Sequence, residues 1–551
     1  MNSLKKLSIV ALILSFSALS MTAQKSYHVN IQKGNDANDG LRWSTAFKNI
    51  QSAIDVAEAG DLILIAEGIY HPTKKIADTY GGSPNPAKPT GDRHRTFLIR
   101  KDVKIYGGFP ADATDAATLY SRNWKLYQTI LSGDFANNDS DPFENMDENA
   151  FHVIVLVNAS PLLDGLYITG GCANDVSSLY VDAGRTYITG GDGGGIHAYS
   201  PTEQSSPTLK DITFFRNYAG TAGGAMYNYS PTREVSPRMT NVSFIHNKAA
   251  NGHGGALYSR GDQDTKAELT NIQAIGNESK KSGGGLYFIA GHTCSPKIIN
   301  AVVTGNYSSD GNGGGIYITT YYGDAYPIIA SSTISGNKVG QAFGNDGGGI
   351  AIYPEGICKA EIFNTVIWGN KGNQIQNFFA EGTTGTQNEI AASLIEGYDP
   401  PGLANLSGNT NPLFLAPVSG NFAPTTDGDY QLTLGSPLIN KGLNQYVTRS
   451  VDILNNQRIY DFIVDISAYE SQGSPPVDND AIIPETQSIW ANNGTLYVRT
   501  ENPTTLRVYA ITGALVKHTP LMSEALYTYP LPKGLYFVTL NNKTAQKITI
   551  H

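Results

Sequence analysis

The sequence predicts an all-β protein built as a right-handed parallel β-helix, in which each sequence repeat forms one rung. The first observation is a pattern of about 30 residues that occurs six times. Each copy pairs a Gly-Gly-small element with an apolar run that closes on Asn, and such a period indicates stacked units that contact mainly their neighbours. The glycine elements begin at Gly193, Gly223, Gly254, Gly283, Gly313 and Gly347, and the closing asparagines are Asn217, Asn247, Asn277, Asn306, Asn337 and Asn370.

The apolar runs and the corner residues are the second and third observations. Segments such as Gly313–Ile318 and Pro327–Asn337 are short, β-branched and partly alternating, without the 3.6-residue spacing of a helix. Glycine and asparagine at the corners suit backbone positions with positive φ. Parallel crossovers strongly favour the right-handed sense. We expect the closing asparagines of successive rungs to stack as an internal amide ladder.

The beginning of the sequence has the pattern of a secretory signal peptide. Lys5 and Lys6 precede an apolar run, Leu7–Leu19, which is followed by small residues up to Ala23. The apolar run is too short to span a membrane, and cleavage is expected after Ala23 or after Ser20. We therefore expect a secreted protein.

The rest of the chain divides into a long module and a short one. We expect the β-helix at 24–471, with regular rungs at about 190–370 and a short amphipathic helix, N-capped by Ser44, covering its first rung. A linker rich in turn formers is predicted at 472–482. Residues 483–551 carry short strand patterns separated by turns and are predicted to form a small β-sandwich.

Composition excludes some partners. The formal net charge is -9, and the sequence has no dense Lys/Arg patch, which argues against nucleic acid as a partner. No segment after the signal is long and apolar enough for a transmembrane helix. The three cysteines, Cys172, Cys294 and Cys358, are too few for a disulfide framework and are expected to be small buried residues.

Residues 28–471 resemble a known group of bacterial proteins. The glycine elements and the endings Phe214–Asn217 and Phe244–Asn247 resemble the GGA[IL]/FxxN repeats of chlamydial polymorphic outer-membrane proteins. They are equally similar to bacterial right-handed β-helix repeat proteins, whose usual middle and end resemble Leu163–Gly171 and Asp465–Glu470. That group includes surface proteins and adhesins, so the resemblance implies a surface location more strongly than an activity.

The last segment resembles the C-terminal sorting domain of the type IX secretion system of Bacteroidota. The matching segments are Leu506–Lys517, Leu531–Leu540 and the terminal Lys547–Ile550. The resemblance implies export by the type IX machinery and attachment to the outer-membrane surface of a Gram-negative bacterium. An ordinary sandwich module for binding is the alternative.

A catalytic site is not evident from the sequence. The pectin-lyase-like fold includes hydrolases that carry Asp-Asp, Gly-His-Gly and Arg-x-Lys elements, and a glycoside hydrolase needs two carboxyl groups. This chain has neither Asp-Asp nor Arg-x-Lys. Gly252-His253-Gly254 is present, but His253 occupies the repeat position where other copies have Asn312 or Asp346, so we interpret His253 as a turn residue.

An acidic loop is the best candidate for a metal site. The sequence pattern of the chain requires no cofactor. Hard cations such as Ca²⁺ need several oxygen ligands, and the acidic loop offers them. The spacing of its acidic residues matches neither an EF-hand loop nor an RTX repeat. A solvated acidic loop and a structural Ca²⁺ site are the main alternatives, and a catalytic ion is a third. The candidate ligands are Asp134, Asp139, Asp141, Glu144 and Asp147, with Glu148 next to them.

A column of aromatic residues is the candidate binding site. In each copy the residue after the Gly-Gly-small triplet points inward, and strand alternation turns the next residue outward. Stacking of rungs should then place these outward residues in an exposed column with spacing near 5 Å, suited to sugar rings or a protein partner. A structural role in the sheet surface is the alternative. The column residues are His197, Tyr227, Tyr258, Tyr287 and Tyr317, with Ala351 in the sixth copy.

These observations predict a secreted protein held at the cell surface that acts as an adhesin-like or glycan-binding protein. The expected partners are the type IX machinery and a polysaccharide or a host or cell-surface glycan. A polysaccharide lyase or glycoside hydrolase is the competing prediction, and a purely structural surface component is the third.

Overall fold

The computed structural model describes most of the chain, in two compact units that divide between Gly473 and Ser474. The described residues are 23–75, 91–140, 143–175, 178–180, 187–340, 347–377, 388–473, 487–492, 495–500, 504–511, 514–521, 525–540 and 546–550. The predicted signal peptide, except its last residue, and most of the predicted linker lie outside the described residues.

Three parallel sheets, which we call A, B and C, make up the first unit. Sheet A contains Ser26–Val29, Leu62–Ala66, Gly68–Tyr70, Lys104–Phe109, Thr129–Ser132, Leu162–Asp164, Leu166–Thr169, Thr208–Phe215, Arg238–Ile245, Glu268–Ile275, Lys297–Thr304, Ile328–Ala330, Thr333–Ser335, Glu361–Phe363, Val366–Trp368, Glu389–Ala391 and Leu394–Ile395. Sheet B contains Phe97–Ile99, Ile154–Val157, Ile196–Tyr199, Met226–Ser230, Leu257–Gly261, Leu286–Ala290, Ile316–Thr320, Ile350–Tyr353 and Ile375–Asn377. Sheet C contains Cys172–Ala173, Tyr218–Ala219, Lys248–Ala249, Glu278–Ser279, Tyr307–Ser308 and Lys338–Val339.

Each strand of these sheets pairs with the equivalent strand of the next repeat, which confirms the predicted parallel β-helix. In sheet B, for example, Leu257 pairs with Leu286 and Leu286 pairs with Ile316. Inward apolar side chains from all sides form one continuous core, in which Met226, Leu257 and other equivalents are fully buried. The architecture agrees with the right-handed sense that parallel crossovers favour.

Short helices and two hairpins complete the first unit. The α-helix Ile50–Val56 contacts the first strands of the β-helix, as predicted for a capping helix. Its N-cap is Asn49, so the prediction of Ser44 as the cap is wrong; the Ser44 hydroxyl donates instead to Asp115. The 3-10 helices are Trp43–Thr45, Asp92–His94, Leu119–Ser121, Gly420–Phe422 and Asn444–Tyr446, and the hairpins pair Ser178–Tyr180 with Tyr187–Thr189 and Phe414–Ala416 with Asp429–Leu432.

The closing asparagines form the predicted internal ladder. Asn247 Nδ2 donates to Asn277 Oδ1 at 3.0 Å, and the same link repeats from Asn217 through Asn370. Each Oδ1 also accepts the backbone N–H of the preceding asparagine, as between Asn247 and Asn277 at 2.9 Å. These buried amides are thus satisfied by one another, which explains why Asn recurs at this position.

The corner conformations differ in part from the prediction. Gly254 and its five equivalents have positive φ, and a Cβ at Gly254 would lie 2.4 Å from Leu257 O, so glycine is required there. The closing asparagines do not have positive φ. The residue before each of them does, for example His246 at 54°.

The second unit has two antiparallel sheets around its own core, as predicted for a β-sandwich. One sheet contains Gln487–Asn492, Thr495–Thr500 and Ala525–Pro530, and the other contains Leu515–Leu521, Thr504–Ala510, Gly534–Leu540 and Gln546–Ile550. Leu496, Val498, Leu506, Val508 and Val538 are fully buried between them.

Two further sequence predictions have structural outcomes in the described residues. Cys172, Cys294 and Cys358 are free and buried, as expected. No helix of the described chain has the length and apolar character that a membrane crossing requires.

Candidate functional site

The predicted aromatic column exists on the outer face of sheet B. Tyr227, Tyr258, Tyr287 and Tyr317 pair in register, and their rings stack at 5.2, 5.0 and 5.1 Å with nearly parallel planes. His197 extends the column at 5.2 Å from Tyr227. We call these five residues the tyrosine column. Their stacking confirms the predicted register.

Most of the tyrosine column is buried, so the predicted exposure is wrong for its central members. Tyr258 and Tyr287 are only 7% and 5% exposed, His197 is fully buried, and Tyr227 and Tyr317 are partly buried. Two neighbouring rows cover the column. On one side the turn residues before the glycines pack against it, with the His253 ring 4.6 Å from that of Tyr287. On the other side, the column is covered by the outward residue that lies two positions after each column residue on the strand. Ile289, two positions after Tyr287, is an example, and it belongs to the same apolar cluster as Tyr287.

A second row of planar side chains lies outside the tyrosine column. Consecutive members approach one another closely: the Tyr199 and Tyr229 rings are 5.6 Å apart, and the Arg260 guanidinium lies 4.7 Å from the Tyr229 ring and 5.3 Å from the Tyr321 ring. Tyr322 ends the row, 6.2 Å from Tyr321. Tyr321 and Tyr322 are 41% and 84% exposed. We call Tyr199, Tyr229, Arg260, Tyr321 and Tyr322 the outer row.

Arg260 is the polar centre of the outer row. Its Nε donates to Asp262 at 2.8 Å, and the Tyr229 hydroxyl donates to the other oxygen of Asp262 at 2.8 Å. The guanidinium also lies close enough to Tyr258 to hydrogen-bond its hydroxyl. Stacking between two rings and an ion pair with Asp262 therefore hold Arg260 in one orientation. The result is a row of stacked planar groups with fixed hydrogen-bonding groups beside them.

The sequence contained a weak signal for the outer row. Strand alternation places Tyr199, Tyr229 and Arg260 outward, two residues after members of the tyrosine column. Only two of these three are aromatic, and Tyr321 and Tyr322 follow their strand in a turn. The row is thus assembled from strand and turn positions, which repeat spacing alone does not connect.

Two buried histidines lie at one end of the tyrosine column. The His152 and His197 rings are 5.0 Å apart, and their Nδ1 atoms lie 3.0 and 2.9 Å from Gly193 O and Asp192 O. Neither Nε2 has a hydrogen-bond partner in the part of the chain that the structure describes. Burial lowers the pKa of His152 to about 3 and that of His197 to about 4, so both rings are neutral at pH 7.

His253 is a turn residue, as interpreted from the sequence. It directly precedes Gly254 in the repeated turn, and its ring covers Tyr287. Burial lowers its pKa to about 4, so His253 is a neutral aromatic cover for the column at pH 7.

The acidic loop brings together only part of the predicted ligand set. Carboxylate oxygens of Asp134, Asp139 and Glu148 lie within 4.8 Å of one another. Glu144 and Asp147 are exposed and do not belong to this group. Asp141 lies outside the described residues.

Comparisons with known proteins do not identify a function. No protein-family model and no curated protein matches the chain. Among solved structures, the pectate lyase Pel9A aligns with a TM-score of 0.35 and 12% identity, over 82% of this chain and 97% of that chain. The structure of XylC with xylose aligns with a TM-score of 0.22 and 9% identity, over 94% of this chain and all of that chain. Neither similarity carries a conclusion about activity, and the fold assignment rests on the parallel pairing described above.

Proposed function

We propose that the protein is a secreted, cell-surface protein that binds a polysaccharide or a cell-surface glycan through the outer row. The observation that carries this proposal is the continuous series of planar groups from Tyr199 to Tyr322, with two exposed rings at its end. Ring faces attract the apolar faces of sugars, while tyrosine hydroxyls and charged groups hydrogen-bond sugar hydroxyls. A row of this kind that ends in two exposed rings suits binding along an extended chain.

The charges around the row favour a neutral glycan over an acidic one. Arg260 already pairs with Asp262, so the row has little free positive charge for a carboxylate or sulfate. Asp264 and Glu234 lie in neighbouring turns and both pair with Lys266. Hydroxyl-rich sugars that use Asp262 as acceptor and Arg260 as donor fit this arrangement.

A glycan array followed by calorimetric titration tests the proposal. Tyr321→Ala and Tyr322→Ala should each weaken binding about two- to tenfold, because an aromatic stacking contact contributes about 0.5–1.5 kcal/mol beyond area burial. Tyr120→Ala is the matched control, since Tyr120 is fully exposed outside the row. Equal effects of all three substitutions, or no glycan bound by the wild type, would contradict the proposal.

An assay for released products separates binding from catalysis. A lyase would release unsaturated ends from a uronate polymer, and a hydrolase would release reducing ends from its substrate. Release of either product by the purified wild type would replace the binding proposal with the enzymatic one.

The location at the cell surface is part of the same proposal. The C-terminal β-sandwich and its terminal Lys547–Ile550 segment support export by the type IX machinery, through the resemblance described above. In a host with that machinery, the full chain should reach the cell surface, and a chain that ends at residue 471 should stay in the periplasm. Surface display of the shortened chain, measured by protease accessibility of intact cells, would contradict the export route.

A further inference from the structure

We propose that Asp134, Asp139 and Glu148, together with the side chain of Asn149, form a binding site for Ca²⁺. The first observation is the convergence of three carboxylates, whose oxygens lie within 4.8 Å of one another. Carboxylate oxygens at this separation can share a single cation, because Ca²⁺ binds its oxygen ligands at about 2.3–2.6 Å.

The second observation is a set of buried oxygens that lack a donor. Asn149 is fully buried, and its Nδ2 donates to both oxygens of Asp139, at 3.1 and 2.9 Å, and to Gly170 O at 2.8 Å. Its Oδ1 and the buried Oε1 of Glu148 have no hydrogen-bond partner among the described residues. Buried acceptors without donors are rare because each costs desolvation energy, and a cation is a group that satisfies several of them at once.

The ligand chemistry selects the type of cation. All the proposed ligands are oxygens of carboxylates and an amide, which suit hard cations, whereas transition metals favour imidazole or thiolate ligands. The ligands lie on an irregular loop, and Ca²⁺ tolerates such variable geometry better than Mg²⁺ does. We therefore assign Ca²⁺.

The position of the site indicates what the ion would do. The loop leaves and rejoins the β-helix where Ala150 N–H donates to Gly133 O. Asp134 lies at the start of the loop, Asp139 in its first half, and Glu148 and Asn149 at its end. Within the loop, the Phe143 ring packs against Tyr218 and His246 of two successive rungs. A bound ion would fix this loop on the side of the β-helix.

Calcium titration by calorimetry, with thermal unfolding in EDTA and in Ca²⁺, tests the proposal on the full chain. The wild type should bind one Ca²⁺ and should unfold at a higher temperature in its presence. Asp139→Asn and Glu148→Gln should each weaken the affinity at least tenfold, without lowering the unfolding temperature in EDTA, because each removes one of three repelling charges.

Two residues of the same loop supply the matched controls. Glu144→Gln and Asp147→Asn remove the same charge from exposed positions outside the group and should change the affinity less than twofold. An absence of binding at 10 mM free Ca²⁺, or equal losses in the control variants, would overturn the proposal.

Discussion

Two rows of side chains run side by side along the outer face of sheet B, and they differ in exposure. The middle of the tyrosine column is buried, with Tyr258 7% exposed, whereas the outer row ends in the turn residue Tyr322, which is 84% exposed. Only two positions along the strand separate Tyr227 from Tyr229. An outward direction is therefore not the same as exposure: the turns and the outer row enclose the column, and nothing in the described chain encloses the end of the outer row.

The difference also separates stability from binding. A buried stack of rings contributes packing and area burial to the folded state. An exposed ring contributes little to folding but is available to a ligand. The two rows can therefore be told apart by the free energy of unfolding on one hand and by glycan affinity on the other.

The largest effect is expected for Tyr258→Ala. This substitution leaves a cavity between the Tyr227 and Tyr287 rings, so the free energy of unfolding in urea should fall by about 3–5 kcal/mol. Tyr322→Ala is the control from the outer row and should change the free energy by less than about 0.5 kcal/mol. A similar loss in both variants would mean that the two rows do not differ as described.

A smaller effect is expected from acid at the histidine end of the column. The pKa of His197 in the folded state, about 4, is below its ordinary value of 6.5, so the unfolded chain binds the proton first as the pH falls. The stability from neutral His197 is complete above pH 6.5 and is lost as the pH drops toward 4, by about 2 kcal/mol between pH 6.5 and 5.

His197→Phe isolates this contribution, because it keeps a ring in the column and removes the titrating group. The variant should lose about 2 kcal/mol less than the wild type when urea unfolding is compared at pH 7 and pH 5. His152, with a pKa of about 3, titrates in both proteins and cancels in the difference. Equal losses in the two proteins would show that His197 is not buried in its neutral form.

The smallest effect is expected for Tyr258→Phe, which sharpens the contact between the two rows. The substitution keeps the stacked ring and removes only the hydroxyl next to the Arg260 guanidinium. The free energy of unfolding should fall by about 1 kcal/mol, the typical net value of one hydrogen bond. A loss as large as that of Tyr258→Ala would contradict the view that the ring contributes most.

Most of the fold could be predicted from the sequence, and less of the site could be. The period, the closing asparagines and the glycine turns predicted the rungs, the amide ladder and the register of Tyr227 with Tyr258. Each of these depends on equivalent positions in adjacent repeats. The group of converging carboxylates in the acidic loop depends instead on an irregular excursion of the chain, so residue spacing could not show that Glu144 and Asp147 lie outside it.

The sequence by itself determined which residues of successive rungs lie next to one another, because a fixed repeat forces equivalent strands to pair. Only the tertiary structure decided which of these side chains face solvent. Exposure depends on contacts between different columns, such as His253 with Tyr287 and Arg260 with Tyr321, which come from turns and strands of different repeats. Such contacts depend on side-chain size and direction rather than on spacing, and the sequence pattern records only spacing.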